Sequence, residues 1–245
     1  GFGNVINGFS EFGGLQAIVS WIIIFIIYFI PYALMVGELG SSFKELGGGV
    51  SSWILETIGP KMAYYAGWTY WVVHLPYISQ KPQGAIIAGS WAIFQSNAIS
   101  NINPVALQIS CLVVFLIGLL IATKGMNPLK KIATIAGTLM FVMSILFIIL
   151  MISAPAITGG NFIDIDWSLK TFMPTFDLKY FTSISILVFA VGGCEKISPY
   201  VNKMDEPSKG FPKGMITLAI MVAVCAILGT ISLGMMFDSN NIPQD

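Results

Sequence analysis

The chain has 245 residues, of which 56% are hydrophobic and only 10% charged, with twelve cations balanced by twelve carboxylates. Ordinary soluble domains carry roughly 25% charged residues, so this composition excludes a typical soluble globular fold. Several apolar runs reach the roughly 20 residues that cross a bilayer as a helix, which points to an all-α polytopic membrane protein. Every cation is a lysine, and no basic cluster with interleaved aromatics suggests a nucleic-acid partner. The three cysteines, Cys111, Cys194 and Cys225, all lie inside apolar runs. They read as small apolar side chains within the membrane, not as a disulfide framework or metal site. No Met opens the chain, and no basic, apolar and small-residue succession marks a signal peptide. The chain is therefore expected to begin inside its first membrane segment.

About seven spans are expected in one transmembrane domain, residues 1–245. A partial first span covers about Gly1 to Ser10. The second runs from about Leu15 to Val36, around the run Trp21-Ile22-Ile23-Ile24-Phe25-Ile26-Ile27. A polar stretch from Glu38 to Lys61 follows. Its segment Ser51 to Glu56 is apolar on one side, as for a helix lying at the membrane surface. The third span, Met62 to Phe94, is long enough to require tilt, or a kink at Pro76 or Pro82. The fourth covers about Pro104 to Ala122 and the fifth about Ile132 to Ile152. A polar connection with Asp164, Asp166 and Trp167 leads to a sixth span, about Tyr180 to Val201. The seventh spans about Met215 to Phe237.

The third span carries a polar stripe: Gly67, Trp71, His74, Ile78 and Lys81 recur at helical spacing. As a cavity wall, Trp71 would pack on substrate while His74 or Lys81 senses its carboxylate or a proton. Alternatively, His74 is a hydrogen-bonded interior histidine and Lys81 snorkels to the surface. Both readings stay open.

The sixth span is interrupted. Its apolar run to Val191 is followed by Gly192-Gly193-Cys194-Glu195-Lys196. Glycine pairs do serve close helix packing in membranes, but packing does not explain two charges directly after them. Backbone freed from a helix at membrane depth is tolerated only against protein or a water-filled cavity. In secondary transporters such broken helices build the substrate site near the midplane. The opening Gly1-Phe2-Gly3-Asn4 reads as the stump of a second break. Glu195 could instead be a structural ion-pair partner, although adjacent residues such as Lys196 do not face it on a helix. A carboxylate inside the membrane is a functional candidate by default, here for coupling or gating.

Lysines alternate in number between connections. One side holds Lys44, Lys61, Lys124, Lys130, Lys131, Lys203, Lys209 and Lys213; the other holds only Lys170 and Lys179. By the positive-inside rule the lysine-rich side is cytoplasmic. The first span then runs outward, and the connection around Asp164 lies outside.

Four stretches carry a family resemblance. They are Phe29-Ile30-Pro31-Tyr32-Ala33-Leu34-Met35-Val36-Gly37-Glu38-Leu39; Gly48-Gly49-Val50-Ser51-Ser52-Trp53 closing with Ile58-Gly59-Pro60-Lys61; Ala122-Thr123-Lys124-Gly125-Met126-Asn127 with Lys131-Ile132-Ala133; and Gly192-Gly193-Cys194-Glu195 with Val201 to Pro207 and Phe211-Pro212-Lys213-Gly214. With these in order, the chain resembles the amino acid–polyamine–organocation (APC) superfamily of permeases. Within it, the chain is most similar to the glutamate/GABA antiporter branch and YjeM-type inner-membrane transporters. The resemblance implies a leucine-transporter-like fold of two five-helix inverted repeats plus two helices, in the cell (inner) membrane. This chain, a fragment truncated at both ends, would hold the first repeat (about 1–155) and two helices of the second (about 178–245). It also implies substrate contacts at the unwound parts of the first and sixth spans, at Gly1, Phe2, Gly3, Asn4, Val191, Gly192, Gly193 and Cys194. Some family members place a lysine deep in the fifth span in place of sodium. The corresponding positions here, Thr134 and Thr138, are hydroxylic, so proton coupling, sodium coupling and pure exchange remain open; no other cofactor is expected.

The expected function is secondary transport of amino acids or their derivatives by alternating access. The substrate is then an amino acid or amine, the other partner is the bilayer, and the oligomeric state is open. A transporter of another small organic amine, or a truncated non-transporting remnant or scaffold, is the alternative. An enzyme is not expected: no His-Glu-x-x-His pair or Gly-x-Ser-x-Gly turn occurs, and there is one histidine.

Overall fold

The computed structural model describes residues 2–47, 49–96, 102–160 and 162–237. Its regular elements among these residues are helices. They are α1 (Phe2–Glu11), a 3-10 turn (Gly14–Gln16), α2 (Ala17–Ile24), a π turn (Phe25–Phe29), α3 (Ile30–Ser42), α4 (Val50–Thr57) and α5 (Pro60–Phe94). There follow α6 (Pro104–Thr123), α7 (Met126–Thr158), α8 (Leu169–Phe172), α9 (Leu178–Val191), a 3-10 segment (Cys194–Lys203) and α10 (Pro207–Met236). Five stretches are long and apolar enough to cross a membrane: Gly14–Ser42, Pro104–Thr123, Asn127–Ile157, Leu178–Lys203 and Pro207–Met236. The expected first and third spans are not among them. Helix α1 has only 10 residues, and the 35-residue α5 is diluted by Lys61, His74, Lys81 and two internal prolines.

Local chemistry accounts for the helix starts. Proline opens α5, α6 and α10, where its missing N–H costs nothing. Asn103 caps α6 by accepting from the Val105 N–H at 2.9 Å, and Asp177 caps α9 by accepting from the Tyr180 N–H at 2.7 Å. Helix α7 begins and ends about six residues beyond the expected apolar span, because a formed helix extends into its polar flanks more cheaply than a new one nucleates.

The chain divides into two compact units. The first comprises Gly1–Glu56 and Met140–Asp245. Its core is aromatic and aliphatic: Trp21, Phe25, Phe29, Val36, Leu187, Val201 and Phe211 are all buried. Trp21 stacks on Phe25 with centroids 5.7 Å apart. Small residues set the approach of its helices, as is usual in membranes. A Cβ at Gly8 would stand 3.2 Å from both Leu187 and Trp21, and one at Gly37 would stand 3.3 Å from the Pro212 Cα. On α4, Trp53 is buried while Glu56 is exposed, the one-sided character expected of that segment.

The tightest approach is Gly40, whose added Cβ would lie 2.3 Å from the ring of buried Phe211. Gly40→Ala is expected to cost about 1–3 kcal/mol through overpacking. Gly214→Ala, with nothing within 4 Å, is expected to be neutral or to gain roughly 0.5–1 kcal/mol from helix propensity. Thermal unfolding of the two purified variants checks this; equal melting temperatures would contradict the packing.

The second unit, Thr57–Leu139, contains α5, which packs against α6, and also the first part of α7. Its surface is mostly exposed and apolar; Trp68, Trp71, Val113, Leu120 and Leu139 are examples. Of the cysteines, Cys194 is buried, Cys111 and Cys225 are half-buried, and all are free thiols.

Candidate functional site

Helix α9 ends where its sequence predicts. The Gly192 N–H closes the last α turn on the Val188 carbonyl at 3.0 Å. Gly192 is then extended (φ −67°, ψ 159°), and Gly193 enters positive φ (106°) as the chain re-coils into the 3-10 segment. Glycine adopts this conformation at little cost. A Cβ at Gly193 would in addition meet the Lys196 side chain at 3.2 Å. The break therefore depends on glycine both for the turn and for the room around it.

Two kinds of backbone terminus meet there. A helix that stops leaves its last carbonyls without in-helix donors, and a helical segment that starts leaves its first N–H groups without in-segment acceptors. The carbonyl end carries partial negative charge and the N–H end partial positive charge. One of the carbonyls, Ala190 O, accepts from the Asn4 side-chain amide at 3.4 Å. The start of α1 thus lies against the end of α9, although the two residues are 186 positions apart.

Phe2, Gly3 and Asn4 depart from the expected unwound segment. They form the first turn of α1, and Gly1 lies outside the described residues. Their helical form brings the Asn4 side chain against α9, where its amide donates to the Ala190 carbonyl. Val191 and Cys194 flank the break and are buried at 6% and 7% exposure.

Glu195, the second residue of the 3-10 segment, receives a short hydrogen bond from the Tyr32 hydroxyl on α3. Tyr32 is held by Tyr28, whose ring stacks on it at 5.5 Å and 18°. The π turn Phe25–Phe29 directly precedes α3 and sets the rotation at which Tyr32 leaves the helix; such turns often mark functional positions. Tyr32 lies in the Phe29–Leu39 stretch that resembles the family, and no spacing rule pairs it with Glu195, 163 positions away. A hydroxyl just after the Ile30-Pro31 step of an apolar span was the available signal.

Trp71, His74 and Lys81 belong to the second unit, on α5. Trp71 is 55% exposed and tilts against Trp68 at 5.5 Å. The His74 Nδ1 lies 2.7 Å from the Tyr70 carbonyl, which can only accept, so Nδ1 bears the proton. Its ring sits 4.2 Å from Tyr70, and Lys81 Nζ lies 3.9 Å over the Tyr77 ring, a cation–π contact. Each of the three thus contacts an aromatic neighbour on α5 rather than another member of the stripe. Thr134, in the same unit, returns its hydroxyl to the Lys130 carbonyl at 2.8 Å. Among the described residues no group of His, Cys, Asp and Glu is placed to hold a metal ion.

The family model described as "Amino acid permease" matches residues 1–244. The chain belongs to this amino acid permease family. It is 51% identical, over its full length, to the aspartate/glutamate permease AcaP of Lactococcus lactis subsp. cremoris, covering 50% of that protein. It is 26% identical over 86% of its length to the inner membrane transporter YjeM of Escherichia coli, covering 44% of it. It is 24% identical over 91% of its length to a probable agmatine/putrescine antiporter of Lactococcus lactis subsp. lactis, covering 46%. The chain therefore spans about half the length of the curated relatives it matches. No solved structure gives a significant match. As a member of a permease family rather than an enzyme family, it is a multi-pass membrane protein.

Proposed function

We propose that this chain supplies the substrate-contacting half of a secondary transporter that moves amino acids across the cytoplasmic membrane by alternating access. The observation that carries the reading is the break at Gly192-Gly193, with the start of α1 set against it through Asn4 and Ala190. An amino acid bears an ammonium and a carboxylate on one carbon. The carbonyl end of α9 suits the ammonium, and the N–H end of the 3-10 segment suits the carboxylate. Gly3, Asn4, Val191, Gly192, Gly193 and Cys194 would line this pocket without any charged side chain. Glu195, tied to Tyr32, would gate it or carry its coupling to an ion. The inverted-repeat arrangement and the cytoplasmic placement of the lysine-rich connections belong to the same proposal.

Acidic amino acids are the favoured substrates, because the relative at 51% identity is named an aspartate/glutamate permease. A ligand that binds only the folded state stabilises it by RT ln(1 + [L]/Kd), about 2.7 kcal/mol at 100 times Kd. Thermal melting of the full-length protein with aspartate, glutamate, GABA, agmatine and putrescine tests the assignment. A shift with aspartate or glutamate supports it; a shift with agmatine or putrescine alone replaces it with amine transport, and no shift with any amino acid or amine contradicts it.

A further inference from the structure

A second cavity lies within the first unit, away from the break. It is about 400 Å³ in volume and is formed where α1 ends, where the 3-10 turn Gly14–Gln16 begins α2, and where α9 starts. Its lining mixes charge: Glu11 and Asp177 contribute carboxylates, Lys179 an ammonium, and Gln16, Thr175 and Ser183 neutral hydrogen-bonding groups. Two of these groups are held in place. Glu11 accepts from the Ser183 hydroxyl, which ties α1 to α9, and Asp177 is fixed as the cap of α9. The floor is aromatic. Phe12 meets Tyr180 edge-on at 5.5 Å, and Phe176 meets it at 5.0 Å. Tyr180 is 6% exposed, and its hydroxyl is buried without a hydrogen-bond partner among the described residues. Lys179 is exposed, and its ammonium makes no ion pair among the described residues.

This combination differs from an ordinary polar helix end. It offers two anchored carboxylates and one lysine around a space large enough for a small organic molecule. We propose that it is a second, shallow binding site for an amino-acid zwitterion, at the mouth through which substrate enters. The ammonium faces Glu11 and Asp177; the carboxylate faces Lys179, within reach of the Tyr180 wall. The inference rests on the transport reading above and on the orientation that puts the lysine-poor connections outside. In that orientation the cavity opens to the exterior, between the end of α1 and the start of α9. The lining charges sum to −1, so the mouth acts through local ion pairs with the two ends of the ligand rather than by long-range attraction, and these weaken with ionic strength.

The test is uptake by the full-length protein in proteoliposomes, with substrate offered to each face separately. Glu11→Gln keeps the acceptor for Ser183 while removing charge, and Lys179→Gln changes an exposed side chain. Lys179→Gln is expected to raise KM for exterior aspartate or glutamate about three- to tenfold at low salt, and Glu11→Gln to raise it less, because it removes an ammonium partner and a like charge together, with kcat and the KM from the opposite face unchanged. The difference is expected to shrink as salt rises, and Lys179→Arg is expected to restore wild-type KM. An unchanged exterior KM, an equal loss from both faces, or failure of Lys179→Arg to rescue overturns the proposal. A wild-type protein that moves no amino acid overturns the transport reading itself, and the entry site with it.

Discussion

Gly193→Val in the full-length protein is expected to reduce amino-acid uptake by about 10- to 100-fold while the protein still reaches the membrane. Gly193 holds φ at +106° between α9 and the 3-10 segment. A β-branched residue there carries roughly 1–3 kcal/mol of backbone strain, and its Cβ would press on the Lys196 side chain. The cheapest relief is to let helix replace the turn. That would pair the very carbonyl and N–H groups which the proposed site leaves for substrate. The helical core around Trp21, Leu187 and Phe211 does not involve Gly193, so expression and melting temperature are expected to change far less than uptake. A variant that transports at the wild-type rate would show that the break is not used. The readout is initial uptake rate normalised to protein inserted.

The second large effect is expected at Glu195. Its carboxylate sits on the 3-10 segment and receives the Tyr32 hydroxyl from α3, so it joins the broken helix to an unbroken one. Hydrogen bonds to a charged group are worth about 1.5–3 kcal/mol, which corresponds to roughly 10- to 100-fold in an equilibrium. Glu195→Gln keeps an acceptor for Tyr32 and removes the charge. It is expected to flatten the dependence of uptake on pH and to lower the rate by about that factor. Tyr32→Phe keeps the carboxylate and removes the donor, so it is expected to change the rate while leaving a pH dependence in place. Uptake measured across pH for both variants separates the charge from the link. If Glu195→Gln matches wild type in rate and pH profile, Glu195 has no part in coupling or gating.

The parts of this fold that local chemistry controls could be read from the residues alone. Apolar runs of membrane length predicted all five crossing segments; Pro104–Thr123 and Leu178–Lys203 agree within about two residues, while Gly14–Ser42, Asn127–Ile157 and Pro207–Met236 run on by about five to eight residues at one end or both. The interruption at Gly192-Gly193 was legible because glycine pairs followed by two charges are incompatible with an uninterrupted lipid-facing helix. What could not be read depends on pairings across the chain. Asn4 meets Ala190 over 186 positions, and Tyr32 meets Glu195 over 163; no periodicity encodes such contacts. The cavity between Glu11, Asp177 and Lys179 escaped for the same reason, since its walls come from three separate elements. Phe2–Asn4, expected to be unwound from the opening glycines and the family resemblance, are helical, with Asn4 engaged on α9. On α5, side-chain contacts run from Tyr70 through His74 to Tyr77 and Lys81.

Counterflow in proteoliposomes tests the central claim most directly. Vesicles bearing the full-length protein are loaded with unlabelled aspartate or glutamate and diluted into a trace of the labelled compound. The account predicts transient accumulation of label above equilibrium, suppressed by excess unlabelled acidic amino acid outside and lost in Gly193→Val. If neither these nor any other amino acid or amine is accumulated or displaced, the chain does not form part of a transporter of this class.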